Sequence, residues 1–270
     1  YHYLNEHPKI QMSSIKEPNF FSQSSLKRDK LYYRSSIIDT IEKYHALYKA
    51  TDVNLRGDAS VSYLFYKDVP QKINSYNHNA KIIIMLRDPV ERAFSHYLMD
   101  YRLGLVSESF EAIVTKKLEH RDFNLFYQQY IEVSKYSNQV KRYLEVFGKE
   151  NIFFIDYDDF KKNTAKTVKE VYMFLELDND FRPSFNKKYN TYSAPRNAFI
   201  RFAYSLIFFR KMVVNILPKK FKNIIKNILF ISDRKPKISQ NTRGFLQKKF
   251  EPDLRELSNL LSTDFLKWIK

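Results

Sequence analysis

Arg87 and Ser95 are the residues whose types and spacing point most directly to chemistry. Arg87 follows the apolar run Lys81-Ile-Ile-Ile-Met-Leu86 and precedes Asp88-Pro89, a pair suited to cap and open a helix. An arginine at the carboxyl end of a strand, beside the free N–H groups of the next helix, is an arrangement that takes up a phosphate group. Ser95 falls in the second turn of that helix, where its hydroxyl can join Arg87 on one phosphate, with Arg92 and His96 flanking at helical spacing. Outside such a context an arginine at a strand end is an ordinary ion-pair partner. His96 reads as a packed, hydrogen-bonded helix histidine.

The elements that must position these residues are legible nearby. The run ending at Leu86 is β-branched and predicts a strand buried on both faces, the kind found in parallel sheets. Val90, Phe94, Tyr97, Leu98 and Tyr101 then recur at helical spacing. A second strand is predicted at Asn151-Ile-Phe-Phe-Ile-Asp156, behind an amphipathic helix through Val140, Tyr143, Leu144 and Phe147 that stops at Gly148. Val168, Val171, Tyr172 and Leu175 mark another helical face, and Leu246, Phe250, Leu254, Leu257 and Leu261 a further one. Short apolar strands alternating with helices predict an α/β fold, a central parallel sheet with helices on both faces. With only four glycines there is little room for a flexible linker, so residues 1–270 are expected to form a single domain.

Forty-six Lys and Arg against thirty Asp and Glu give a net charge of +16, which favours anionic partners: nucleotides, acidic glycans, nucleic acid or a lipid surface. Part of that excess is the solvated surface of a lysine-rich chain. The absence of cysteine excludes disulfides, thiolate metal sites and a cysteine nucleophile, and fits a reducing compartment. Residues 1–12 lack the basic and apolar regions of a signal peptide, so a cytoplasmic location is expected. The six histidines form no two-His helical pair with an acidic partner, which disfavours a zinc or iron site.

Residues 199–231 mix aromatic and aliphatic side chains with Arg201, Arg210, Lys211, Lys219, Lys220, Lys222 and Lys226, and Pro218 divides them. They predict two basic amphipathic helices, which would serve as packing, as an active-site lid, or as a surface for an acidic acceptor or an anionic membrane. The longest uncharged run there has eight residues, 202–209, far short of the roughly 20 needed to span a bilayer.

The string Leu86-Arg87-Asp88-Pro89-Val90-Glu91-Arg92-Ala93-Phe94-Ser95-His96-Tyr97 resembles the 3'-phosphate signature of sulfotransferases that use 3'-phosphoadenosine 5'-phosphosulfate. Lys16-Glu17-Pro18-Asn19-Phe20-Phe21 is similar to that family's segment around its general base. Gly57-Asp58-Ala59-Ser60-Val61-Ser62-Tyr63-Leu64 is similar to its Gly-Glu-x-Ser-Pro-x-Tyr segment, with Asp58 in place of Glu and Val61 in place of Pro. Phe160, Asn190 to Arg196 and the leucine-rich helix before Trp268 also resemble bacterial members of the glycan-type, heparan-sulfate-sulfotransferase-like group.

The resemblance implies a P-loop-kinase-like three-layer fold and in-line transfer of a sulfuryl group from that nucleotide to a hydroxyl or amine, with no metal. It implies that Arg87 and Ser95 hold the 3'-phosphate and that Arg196, on a loop closing over the nucleotide, adds a phosphate contact. Glu17, by itself an ordinary loop residue before a proline, would be the general base, and Lys16 would stabilise developing charge or orient the acceptor. The acceptor would be a glycan, a lipid-linked molecule or a small hydroxyl-bearing compound, with nucleic acid not expected.

The family's Lys-x-Gly-Thr-Thr loop, which holds the 5'-phosphosulfate, does not occur in the 270 residues. Tyr1 to Pro8 resemble the helix that follows that loop, so the sequence is expected to be a piece of a longer enzyme that transfers sulfate poorly by itself. The alternative is a non-catalytic module that binds a nucleotide or a polyanion. A kinase of related fold is disfavoured, because no Gly-Lys-Ser/Thr loop and no evident magnesium-holding acidic pair is present.

Overall fold

The computed structural model describes residues 1–29, 38–50, 52–178, 180–186 and 235–269, together with the backbone pairing of Ala194–Pro195 with Phe230–Ile231. Four short strands pair in parallel: β1 (Ile10–Met12) with β2 (Leu55–Gly57), and β3 (Ile82–Leu86) with β4 (Ile152–Asp156). In the second pair Ile82 stands opposite Ile152 and Leu86 opposite Asp156, so the two carboxyl ends are flush.

Both strand–helix units expected from the sequence form. After β3, Pro89 opens the helix Pro89–Leu103, and Asp88 caps it by accepting from the Val90 and Glu91 N–H groups at 2.8 and 3.3 Å. Gly104 ends it in the left-handed region at φ 69°. Before β4, the helix Ser137–Phe147 buries Val140, Tyr143 and Phe147 and stops at Gly148, φ 72°. The helix Thr164–Phe174 buries Val168, Val171 and Tyr172.

One expectation is corrected. A single central sheet is not formed by hydrogen bonding among the described residues, because β2 and β3 are each paired on one side only and the parallel strands remain two pairs. Nor is β3 buried on both faces. Successive strand residues point to opposite sides, and while Ile84 and Leu86 are buried, Met85 is 43% exposed, which leaves its face open at that point.

The main core joins Leu86 and Val90 to Val140, Tyr143, Tyr63, Phe21 and the long helix Gln240–Leu261. That helix places Leu246, Phe250, Leu254 and Leu257 wholly inside, each contributing roughly 1.5–3 kcal/mol by burial. A smaller core packs Ile10 and Met12 against Val168 and Tyr172. Asp253 of the long helix accepts from the N–H groups of Tyr136 and Ser137 at 2.7 and 3.1 Å and from the Ser137 hydroxyl at 2.6 Å. It thereby caps the helix Ser137–Phe147, whose first N–H groups would otherwise be buried unpaired.

That capped helix is a strut. At its start the Tyr136 hydroxyl donates to the Arg87 carbonyl at 3.0 Å. Farther along, the Tyr143 hydroxyl donates to the Tyr63 carbonyl at 2.9 Å, and Arg142 donates to the carbonyls of Leu64 and Phe65. Residues 199–229, expected to form basic helices, lie outside the described residues, as does Arg196. Among the described residues no helix is long and apolar enough to cross a membrane.

Candidate active site

The residues singled out in the sequence that the structure describes follow or flank the carboxyl ends of parallel strands, where open α/β sheets place their ligands. Arg87 directly follows β3, and its guanidinium stacks 5.0 Å from the ring of Tyr157, the first residue after β4. Its Nη2 lies 3.5 Å from Glu91 Oε2, one turn into the helix. Glu91 is also met by Lys235 Nζ at 3.3 Å and by a hydrogen bond from Arg243, which in turn lies 3.9 Å from Asp88.

Three cations therefore converge on two carboxylates, and the corner keeps a positive excess. Burial works against the Glu91 charge, but Arg243 and Lys235 outweigh it and hold that carboxyl below the usual range. Burial pushes the Asp88 carboxyl up, against its two backbone N–H bonds. Lys235 and Arg243 are far from Arg87 in sequence, and no local pattern marks them.

Ser95 is half-buried in the second turn of the same helix. His96 is half-buried: Arg92 Nη2 donates to its Nδ1 at 2.8 Å, and its Nε2 faces the buried Asp100 at 3.7 Å. Burial and the neighbouring Arg92 push the imidazole down to about 3, so it is neutral at ordinary pH. It packs, as its spacing suggested.

The second corner is built differently. Lys16 is exposed and Glu17 half-buried on the loop after β1, while Pro18 and Asn19 are buried. Glu17 and Asn19 both have positive φ, 60° and 56°. Asn19 is tied three ways: its N–H donates to Ser60 Oγ at 3.0 Å, its Nδ2 donates to the Glu17 carbonyl at 2.8 Å, and its Oδ1 accepts from Ser62 Oγ at 2.6 Å. Asp58, directly after β2, accepts from Ser60 Oγ at 2.7 Å, from the Tyr63 hydroxyl at 2.6 Å and from the Tyr44 hydroxyl at 3.2 Å.

Burial raises the Glu17 carboxyl above the usual carboxylate range, Lys16 pulls it back, and the Asp58 charge adds to the rise. Burial also raises Asp58, with the three hydroxyls opposing. A carboxyl so held is suited to accept a proton from a bound hydroxyl or amine. Among the described residues, no hydrogen bond or ion pair joins Lys16 or Glu17 directly to Arg87 or Ser95. The two corners share the main core and the strut Ser137–Phe147.

The family described as "Sulfotransferase domain" matches residues 3–196. Carbohydrate sulfotransferase 15 of Homo sapiens is 24% identical over 229 residues, covering 66% of this chain and 41% of its own length. Heparan sulfate glucosamine 3-O-sulfotransferase 3A1 of Mus musculus is 24% identical over 177 residues, covering 65% of this chain and 41% of its own length. The chain thus spans about two fifths of these curated relatives. The crystal structure of a sulfotransferase from Alicyclobacillus acidocaldarius matches at a TM-score of 0.71 and 25% identity, over 100% of this chain and 92% of that one.

Proposed function

The chain belongs to the sulfotransferase domain family, and on that premise we propose that it transfers a sulfuryl group from 3'-phosphoadenosine 5'-phosphosulfate to a hydroxyl or amine of a glycan or related acceptor. The observation that carries this reading is the cationic corner after β3, where Arg87, Lys235 and Arg243 exceed the negative charge of Asp88 and Glu91. That excess fits a donor bearing a phosphate group.

When bound, the donor supplies an activated sulfur whose bond to the bridging phosphate oxygen breaks as the acceptor oxygen or nitrogen bonds to it. Arg87 turns from its loose contact with Glu91 to the 3'-phosphate, steadied by the Tyr157 ring. Ser95 adds a hydroxyl donor from the same helix. Glu17 takes the acceptor proton, which its raised proton affinity favours. Lys16, adjacent and exposed, orients the acceptor or meets the charge that develops during transfer. Arg196, outside the described residues, adds a phosphate contact. The similarity to carbohydrate and heparan sulfate sulfotransferases supports a glycan as acceptor.

The test is transfer of radiolabelled sulfuryl to a panel of glycans, lipid-linked sugars and small alcohols by the full-length protein and its Glu17→Gln variant. The variant is expected to lose roughly 10²- to 10⁴-fold in rate while retaining nucleotide affinity. Equal rates for the two proteins would overturn the assignment of Glu17. Nucleotide binding without transfer to any acceptor would favour the binding module.

A further inference from the structure

The turn that carries Glu17 enters the left-handed region twice in three residues. Glutamate rarely adopts positive φ and asparagine tolerates it better, and Glu17 and Asn19 both have it, with Pro18 between them. Something outside the turn must hold it. The Asn19 N–H donates to Ser60 Oγ, and that hydroxyl donates to Asp58 Oδ1. The Phe21 N–H donates to the Tyr63 hydroxyl at 3.3 Å, and that hydroxyl donates to Asp58 Oδ2. Two backbone groups of the turn thus reach the two oxygens of one carboxylate, each through one hydroxyl. A hydroxyl that donates to an anion is a better acceptor for the N–H behind it.

Asp58 also acts across space. Among the described residues no Lys or Arg pairs with it; its partners are the hydroxyls of Ser60, Tyr63 and Tyr44, with Tyr48 behind Tyr44. Burial and the Asp58 charge hold the phenols of Tyr44 and Tyr63 well above their ordinary value, and burial chiefly raises Tyr48, so none of these phenols supplies a competing charge. The charged groups acting on Glu17 are Lys16, which favours its carboxylate, and Asp58, which disfavours it. On the far side of the loop the Lys16 charge also reaches His2.

We propose that Asp58 is a positioning residue for Glu17: it pins the left-handed turn that presents the Glu17 carboxyl and acts on that carboxyl through its unpaired negative charge. This rests on the reading of Glu17 as the base, and it adds how the base is kept ready near neutral pH. Asp58 itself need not touch either substrate.

The experiment is a carbon-13 NMR titration of protein labelled at glutamate carboxyls, with the Glu17 signal assigned by its loss in Glu17→Gln. Asp58→Asn is expected to move the Glu17 midpoint to lower pH, and Asp58→Glu, which keeps the charge, to return it toward the parent value. Should Asp58→Asn not fold, Ser60→Ala keeps the carboxylate and cuts its link to Asn19, and the midpoint is again expected to fall. A Glu17 midpoint unchanged in folded Asp58→Asn, or unchanged in Ser60→Ala, overturns the proposal. Nucleotide titration of the same samples separates this outcome from failure of the transferase reading, because Asp58 lies outside the Arg87 corner.

Discussion

The corner after β3 and the corner after β1 and β2 hold their functional side chains by opposite means. Arg87 stands on regular structure: a strand end and a capped helix start beside it in sequence, and the ring of Tyr157 at the end of the paired strand β4. Glu17 stands on a loop in left-handed backbone, fastened by hydroxyls from residues some forty positions away. On the proposed reading, ordinary secondary structure prepares the first corner for a phosphate, and the second needs long-range polar contacts to prepare a carboxyl for a proton. One helix, Ser137–Phe147, supports both.

The largest expected effect tests that shared support. Asp253→Ala leaves the N–H groups of Tyr136 and Ser137 buried and unpaired, a loss of about 3 kcal/mol measured by urea unfolding. Nucleotide affinity and transfer should both fall. A variant that loses stability but keeps both activities would show that the strut does not couple the corners.

Next, Tyr63→Phe removes one hydroxyl that serves both Asp58 and the Phe21 N–H, at a cost of about 1–3 kcal/mol. Transfer should drop while nucleotide affinity stays at the parent value. Reduced nucleotide affinity would mean that the two corners are less separate than their contacts indicate.

His96 gives the pH signature of the nucleotide corner. Its folded value of about 3 lies below the ordinary 6.5, so between these values the unfolded chain binds a proton that the folded chain does not. Stability is fully present above 6.5 and falls as pH drops through this window. His96→Gln should flatten that part of the stability curve; parallel curves for the two proteins would rule out the neutral imidazole.

The smallest effect is expected for Asp88→Ala, which removes the cap and the Arg243 contact for about 1 kcal/mol. Nucleotide binding should weaken and the Glu17 titration stay fixed. A shift in Glu17 would again break the separation.

The same contrast explains what could be read beforehand. Asp88-Pro89 before a helical apolar pattern is local grammar, and the strand, cap and helix all appear within a residue or so of where the pattern puts them, as does the Gly148 stop of the helix before β4. The motif around Glu17 could be matched as a string, but its geometry could not, because the left-handed backbone at Glu17 and Asn19 is sustained by Ser60, Ser62 and Asp58 through tertiary contacts. Lys235 and Arg243 were silent for the same reason: they reach Glu91 across about 150 residues of chain. The exposure of Met85 has no sequence signal, because an unbroken apolar run looks the same whether one face or both are covered.

The central claim is that the Arg87 corner recognises a 3'-phosphate, and calorimetric titration with 3'-phosphoadenosine 5'-phosphate against ADP tests it most directly, on the parent protein and on Arg87→Ala. The account predicts clear preference for the 3'-phosphorylated nucleotide and loss of that preference in the variant. Equal affinity for both nucleotides, or a preference that survives Arg87→Ala in a folded protein, would contradict it.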